Sequence, residues 1–162
     1  MRGLGSRVVD ADATTIRRAR VSEREALEDL QRRSSVEGPM YRAQLEAHPD
    51  AIELPAEQIA AGLVRVAERN GVVVGFSVLF EPSDGACELD GLFVEPDQMR
   101  TGVGRRLIED ATSIARERGA TRIDVVANPQ ALAFYAAVGF EPAGEAQTQF
   151  GPAPRMSLPV DR

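Results

Sequence analysis

LDGLFVEPDQMRTGVGRRLIEDATSIARER, residues 89–118, is the stretch whose reading decides the fold. It holds a strand, a tight turn and a long helix. The apolar run Leu92-Phe93-Val94 closes the strand. Pro96 ends it, because proline has no N–H for a ladder. Gly102-Val103-Gly104 makes the turn. Beyond it Val103, Leu107, Ile108, Ala111, Ile114 and Ala115 recur at the spacing of one side of an α-helix. Arg106, Glu109, Asp110, Arg116 and Glu117 fall on the other side. Gly119 is placed to cap the helix in the left-handed conformation.

The two glycines have a physical meaning at that position. The first turn of a helix leaves N–H groups without partners, and the aligned peptide dipoles make that end electropositive. Without a Cβ at Gly102 and Gly104, an anion can approach those donors closely. Arg100 and Arg105 flank the turn and add charge. A phosphate or pyrophosphate is the natural guest. A turn that merely needs glycine accounts for the same residues about as well.

The run Val94-x-Pro96, followed by Arg100-x-Gly102-x-Gly104, resembles the acetyl-CoA-binding signature of the GCN5-related N-acetyltransferase (GNAT) superfamily. A second block, Asn128-Pro129-Gln130-Ala131-Leu132-Ala133-Phe134-Tyr135 with Gly139-Phe140, resembles that family's next motif and falls at the expected distance downstream. There is one departure. The six-residue signature usually opens on Gln or Arg, and here it opens on Met99. Most contacts of that loop are made by backbone N–H groups, so the change weakens the match only slightly. The resemblance spans residues 13–160, with its specific motifs in 88–140.

What the resemblance implies is an enzyme. The co-substrate is acetyl-CoA, the acceptor is the primary amine of a small molecule, an amino acid or a peptide N-terminus, and no metal takes part. Leu92, Phe93 and Val94 would present backbone groups to the pantetheine and the thioester carbonyl. Met99, Arg100, Thr101, Gly102, Val103, Gly104 and Arg105 would cradle the pyrophosphate. Asn128 would contact the pantetheine arm, and Phe134 would line its path. Tyr135 matches the tyrosine that protonates the leaving thiolate in many family members, and Glu88 stands where some carry a catalytic glutamate. Direct attack of the amine needs no covalent enzyme intermediate, which suits a chain without an evident nucleophile and base pair.

Each assignment has a plainer counterpart. The side chains of Leu92, Phe93 and Val94 read as strand core. Tyr135 has the helical spacing of a buried aromatic, in line with Leu132 and Val138. Its phenol, with an ordinary pKa of about 10, is protonated at neutral pH and able to donate. Glu88, at an ordinary pKa of about 4.3, is poorly matched to an ammonium unless burial raises it or water relays the proton. Asp90 shares its side of the strand. Base, cationic-substrate anchor and solvated acidic face stand as comparable readings of the pair. His48, the single histidine, lies in a variable segment and reads as an exposed loop residue. Tyr41 and Arg42 are weaker candidates for the acceptor pocket. Cys87 alternates with Glu88 and reads as buried and inert.

Composition narrows the class. A chain of 162 residues predicts one domain, here 13–160, with residues 1–12 a loose leader. The sequence has no apolar run of membrane-spanning length and no apolar stretch of signal-peptide length near Met1, so a cytoplasmic protein is the expectation. One cysteine excludes an intramolecular disulfide and argues against a cysteine metal site. A net charge of -6 argues against general nucleic-acid binding, which needs a basic footprint. All 19 basic residues are arginine, which reads as genomic base bias.

The remaining chain supplies the expected frame. Thr14–Arg20 reads as a first strand. Ser22 and Glu25 have capping-box spacing ahead of a helix to about Arg33, with Ala26, Leu27 and Leu30 on its buried side. A short helix around Tyr41–Ala47 and a turn near Ala56–Ala61 follow. Leu63–Arg69 and Val72–Phe80 flank Asn70-Gly71, a strong hairpin signal. Gly75 marks a bulge or a close approach. Pro82–Gly85 is a turn, Ala86–Val94 the next strand, and Arg122–Ala127 a short buried one. Asn128 caps the following helix, with Pro129 at its first position. Two short strands, about Glu145–Phe150 and Arg155–Leu158, end the chain. The fold class is therefore mixed α/β (α+β): a mostly antiparallel twisted sheet of about six or seven strands, with helices on both faces.

Two other functions compete with the enzyme. One is a non-catalytic acyl-CoA-binding sensor, which the retention of Tyr135 and Glu88 disfavours. The other is a dinucleotide-binding protein, which would require glycine at Leu107. An exposed terminal strand offers an edge for pairing into a homodimer.

Overall fold

The computed structural model of the chain describes residues 13–35, 54–148 and 151–160. The expected leader, the helix around Tyr41–Ala47, and His48, Tyr41 and Arg42 lie outside the described residues. The elements are β1 (Thr15–Arg18), α1 (Arg24–Ser35), α2 (Ala56–Ala60), β2 (Val64–Arg69), β3 (Val72–Leu79), β4 (Ala86–Val94), α3 (Val103–Glu117), β5 (Arg122–Val126), α4 (Leu132–Ala137), β6 (Glu141–Thr148) and β7 (Gly151–Pro159). The strands form a seven-stranded sheet in the order β1-β2-β3-β4-β5-β7-β6. Pairing is antiparallel for β1 with β2 and for β7 with both β5 and β6, and parallel for β4 with β5. A parallel pair needs a crossover, and α3 supplies it. The described chain falls into two compact units. One runs up to Phe76 and includes Phe93–Leu107; the other comprises Ser77–Leu92 and Ile108 onward.

In the first unit, Asn70 (φ 54°) and Gly71 (φ 79°) take the paired left-handed conformations of a tight hairpin turn, as their sequence predicts. A Cβ built on Gly75 would lie 2.8 Å from the Phe93 carbonyl oxygen and 3.1 Å from Val103 Cγ1. This glycine marks a close approach of backbones. The helix entry differs from expectation. A 3-10 turn over Val21–Glu23 precedes α1, and Glu23, not Glu25, reaches back to accept from the Arg20 N–H at 2.8 Å. Glu23 prevails because Arg17 also holds it, with Nη2 2.7 Å from Glu23 and 2.8 Å from Glu68 of β2. Leu27 and Leu30 are buried as expected, but Ala26, at the flank of their stripe, is exposed.

The second unit is built on one apolar cluster. It joins Ile108, Ala111 and Ala115 of α3 to Cys87, Leu89, Ile123, Val125 and Met156 of the sheet, and to Tyr135 and Phe140. Each fully buried aliphatic side chain contributes about 1.5–3 kcal/mol. Gly119 (φ 82°) closes α3, with the Ala120 N–H donating to the Ala115 carbonyl at 2.9 Å, the six-residue bond of a left-handed cap.

The terminal strands are longer than their glycines and prolines suggest. A bulge between Pro142 and Glu145, with Gly144 at φ 102°, absorbs one irregularity. Pro154 accepts from the Ala127 N–H at 2.7 Å, so its imide nitrogen also faces the β5 side. The ladder ends there, because that nitrogen has no proton to donate back to Ala127 and β5 itself pairs with β7 only over Arg155–Pro159.

Candidate active site

In the first unit the turn before α3 is shaped for donors. Pro96–Gln98 makes a 3-10 turn, Arg100 is held at φ 66°, and Gly102 at φ 97°. The first helical bond is donated by the Arg106 N–H to the Gly102 carbonyl at 3.0 Å. The N–H groups of Val103, Gly104 and Arg105 therefore precede any intrahelical acceptor. Val103 is fully buried, so it has only its backbone to offer outside, while Arg100 and Arg105 are exposed. Met99 is half-buried. This donor array fits a pyrophosphate, and the φ of Gly102 requires a residue without Cβ.

In the second unit β4 and β5 part company. Their parallel register runs from Ala86 opposite Arg122 to Leu89 opposite Val125. Ala127 then bonds to Pro154 of β7. Asp90, Gly91 and Leu92 thus continue β4 beyond the β5 ladder. Strand β4 also carries one extra residue against β3. The Phe80 N–H donates to Glu88 O, and the Glu95 N–H to Val74 O, both at 2.9 Å. Six positions separate Val74 from Phe80, and seven separate Glu88 from Glu95, so β4 is bulged between Glu88 and Glu95.

The face of the second unit opposite its apolar cluster is polar. Glu88 lies across from Asp124, and Asp124 from Ser157. Ser157 Oγ donates to Asp124 at 2.8 Å, Arg122 Nε lies 3.2 Å from the same carboxylate, and Arg155 Nη1 lies 3.5 Å from Glu88. Burial pushes the Glu88 carboxyl above the ordinary carboxylate range; Arg155 pulls it down and Asp124 pushes it up again. The Asp90 carboxyl is also pushed up by the protein crowding it, although the residue as a whole is exposed. Cys87 points into the core, where burial raises its thiol pKa. That is the inert role its alternation predicts.

Tyr135 is 5% exposed and sits in the apolar cluster. Its ring meets Phe140 and Phe134 edge-on, with centroids 5.2 Å apart in each case. Burial pushes its phenol further up, so it is protonated at every physiological pH. Asn128 Oδ1 accepts from the Gln130 N–H at 2.9 Å, the expected cap.

Residues 24–140 match the acetyltransferase (GNAT) family. The chain belongs to that family. Among its relatives, the amino-acid acetyltransferase of Shewanella oneidensis is 30% identical over 122 residues, which are 75% of this chain and 25% of that protein. The peptidyl-lysine N-acetyltransferase YjaB of Escherichia coli K12 is 39% identical over 84 residues, 52% of each chain. Its Salmonella typhimurium namesake is 32% identical over 138 residues, 82% of this chain and 86% of that one. The chain thus spans a quarter to a half of the first two relatives and most of the third. The PaiA N-acetyltransferase of Thermoplasma acidophilum, solved in complex with coenzyme A, shares the GNAT fold at a TM-score of 0.72 and 18% identity, over 91% of this chain and 99% of that one.

Within this GNAT frame the second unit brings Glu88 and Asp90 onto one strand and puts Tyr135 and Phe134 in contact on α4. Phe93 and Val94 close β4 in the first unit, whose glycine turn opens α3. Three residues of the polar face, Asp124, Arg155 and Ser157, are not singled out by the sequence. The alternation Arg155-Met156-Ser157-Leu158 does put Arg155 and Ser157 on one face. That the face meets Glu88 follows from β7 lying next to β5, which alternation does not encode. Among the described residues no group of histidine, cysteine and carboxylate side chains is arranged to hold a metal, and no helix is long and apolar enough to cross a membrane.

Proposed function

We propose that this chain is an acetyl-CoA-dependent N-acetyltransferase, acting through a single acetyltransferase domain over residues 13–160. Its acceptor is the primary amine of a small molecule, an amino acid or a peptide. The observation that carries the reading is the parting of β4 from β5 after Leu89 and Val125, with the bulge in β4. An extended pantetheine arm has the shape and hydrogen-bonding pattern of a strand, and it fits where a ladder has been left open.

In this reading the backbone of Leu92, Phe93 and Val94 holds the arm and the thioester carbonyl. The loop Met99–Arg105 cradles the pyrophosphate through the N–H groups at the start of α3, and Asn128 and Phe134 contact the arm. Bound acetyl-CoA supplies an acyl group activated as a thioester. The amine nitrogen forms the new C–N bond, the C–S bond breaks, and the amine proton is removed. Glu88, with its raised carboxyl pKa, receives that proton directly or through water. Tyr135, a weaker acid than a thiol, stabilises the departing sulfur by donating a hydrogen bond. A non-catalytic acyl-CoA sensor remains the second reading. It is favoured by the pairing of Glu88 with Arg155 and by the burial of Tyr135.

The relatives' names put free amino acids and peptide lysine at the head of the acceptor panel, with peptide N-termini beside them. A cytoplasmic setting goes with dependence on acetyl-CoA. Strand β6, last in the sheet order, offers an edge for homodimer pairing, tested by sedimentation. The deciding experiment measures release of the CoA thiol across the panel, beside direct acetyl-CoA binding, for the wild type, Tyr135→Phe and Glu88→Gln. Turnover with one amine class, reduced about a hundredfold in Tyr135→Phe while binding persists, is the expected result. Binding without turnover on any amine would favour the sensor, and no binding would refute both.

A further inference from the structure

Arg69, the last residue of β2, belongs to neither motif, yet it bonds the loop of the glycine turn at three points. Its Nη2 donates to the Thr101 carbonyl at 2.6 Å, and its Nη1 to Thr101 Oγ1 at 2.8 Å and Gln98 Oε1 at 3.2 Å. Its Nε donates to Thr14 Oγ1 at 2.7 Å. Thr101 Oγ1 in turn donates to the Gln98 carbonyl at 2.5 Å. Four of the five guanidinium donors are therefore spent on the loop and on Thr14.

We propose that Arg69 is a positioning residue for cofactor binding, holding the Gln98–Gly102 loop in the one conformation that presents the α3 donors. The inference rests on the acetyl-CoA reading above. Two features support it. In a trans peptide the C=O and N–H point in opposite directions. With the Thr101 carbonyl drawn to Arg69, the Gly102 N–H faces away from Arg69, as an added donor at the mouth of the helix. In addition, Arg100 is held left-handed at φ 66°, a conformation that costs a non-glycine residue about 1–2 kcal/mol. Such a conformation persists only where surrounding bonds over-determine it. The bonds from Arg69 to Thr101 and Gln98, on either side of Arg100, do so.

This role differs from that of a phosphate ligand. A phosphate-binding cation works by charge, which lysine keeps. A clamp works by the planar fork, which a single ammonium does not reproduce. If only a tenth of the molecules retain the binding conformation, apparent affinity falls about tenfold.

The test compares wild type, Arg69→Lys and Arg69→Ala in two measurements. Calorimetry gives the affinity for CoA, and amide hydrogen exchange over residues 96–105 is followed in protein without ligand. The expectation is that both variants bind CoA about tenfold more weakly, that exchange in the loop rises several-fold in both, and that kcat at saturating acetyl-CoA changes less than about twofold. Wild-type affinity in Arg69→Lys would make Arg69 a charge contact and overturn the proposal. Wild-type affinity and unchanged loop exchange in Arg69→Ala would overturn it as well. Should Arg69→Ala not fold, Arg69→Lys alone decides. Failure of the wild type to bind CoA would refute the acetyl-CoA reading and the inference with it, whereas wild-type binding with unaffected variants refutes the inference alone.

Discussion

Replacing Gly75 by alanine tests the packing that brings β3, β4 and the start of α3 together. No left-handed φ is involved, so the cost is steric. The added Cβ would stand 2.8 Å from the Phe93 carbonyl oxygen, 3.1 Å from Val103 Cγ1 and 3.4 Å from Leu107 Cδ1. Carbon–oxygen contacts settle near about 3.3 Å and carbon–carbon contacts near about 3.5–4.0 Å. The overlap is therefore roughly half an ångström against a backbone atom, which no rotamer change can relieve. Overpacking of this kind costs about 1–3 kcal/mol. The lower entropy of the unfolded alanine chain returns about 0.4–1 kcal/mol. The net expectation is a destabilisation of about 1–2 kcal/mol, or about 3–6 °C in Tm for a chain of this size. Urea unfolding followed by circular dichroism should show a lower midpoint at unchanged slope. In the proposed function Phe93 and Val103 hold acetyl-CoA, so the strain should also raise its KM. A midpoint equal to or above wild type would show that the strands separate freely here, and would refute the close-approach account.

Removing the guanidinium beside Glu88, as Arg155→Met, takes away the influence that lowers its carboxyl pKa, so that pKa rises further. The acidic limb of the kcat/KM profile should move to higher pH; a limb that stays in place or moves down would exclude Glu88 as the titrating base. Glu23→Gln should cost about 1 kcal/mol at neutral pH, by loosening Arg17 and the entry to α1. The Glu23 pKa is lowered on folding, chiefly by its hydrogen bond from Arg17. Its stabilisation is therefore present above the ordinary carboxylate pKa and is lost as pH falls through the lowered value. Chemical unfolding of both proteins from neutral to acid pH should show the gap closing, and a gap that widens on acidification would be inconsistent with the pair.

Much of the fold is legible in local chemistry. Asn70-Gly71, Gly119 and Asn128-Pro129 each demand a particular backbone conformation, and each adopts it. Strand β4 begins and ends where Ala86 and Val94 predict, because Gly85 and Pro96 punctuate it. The entry to α1 departs from its local pattern because of a long-range contact. Ser22 and Glu25 have capping spacing, but Glu23 is held by Arg17, whose other carboxylate partner, Glu68, lies 51 residues away in sequence. The terminal strands run longer than their glycines and prolines suggest, because a bulge between Pro142 and Glu145 and the end of the β5–β7 ladder at Pro154 accommodate such residues, and neither is visible in a one-dimensional pattern.

The sequence by itself determined the family, the glycine turn at the start of α3, and the alternation that sends Cys87 and Leu89 inward and Glu88 and Asp90 the other way. Periodicity and backbone sterics act within a few residues and are written locally. Only the tertiary structure decided that β7 inserts between β5 and β6, which brings Arg155 to Glu88 and Ser157 to Asp124. It alone decided that β4 outruns β5, and that Arg69 reaches the loop of Thr101. These are pairings between residues tens of positions apart, set by strand order and register, and no local pattern in the chain encodes them.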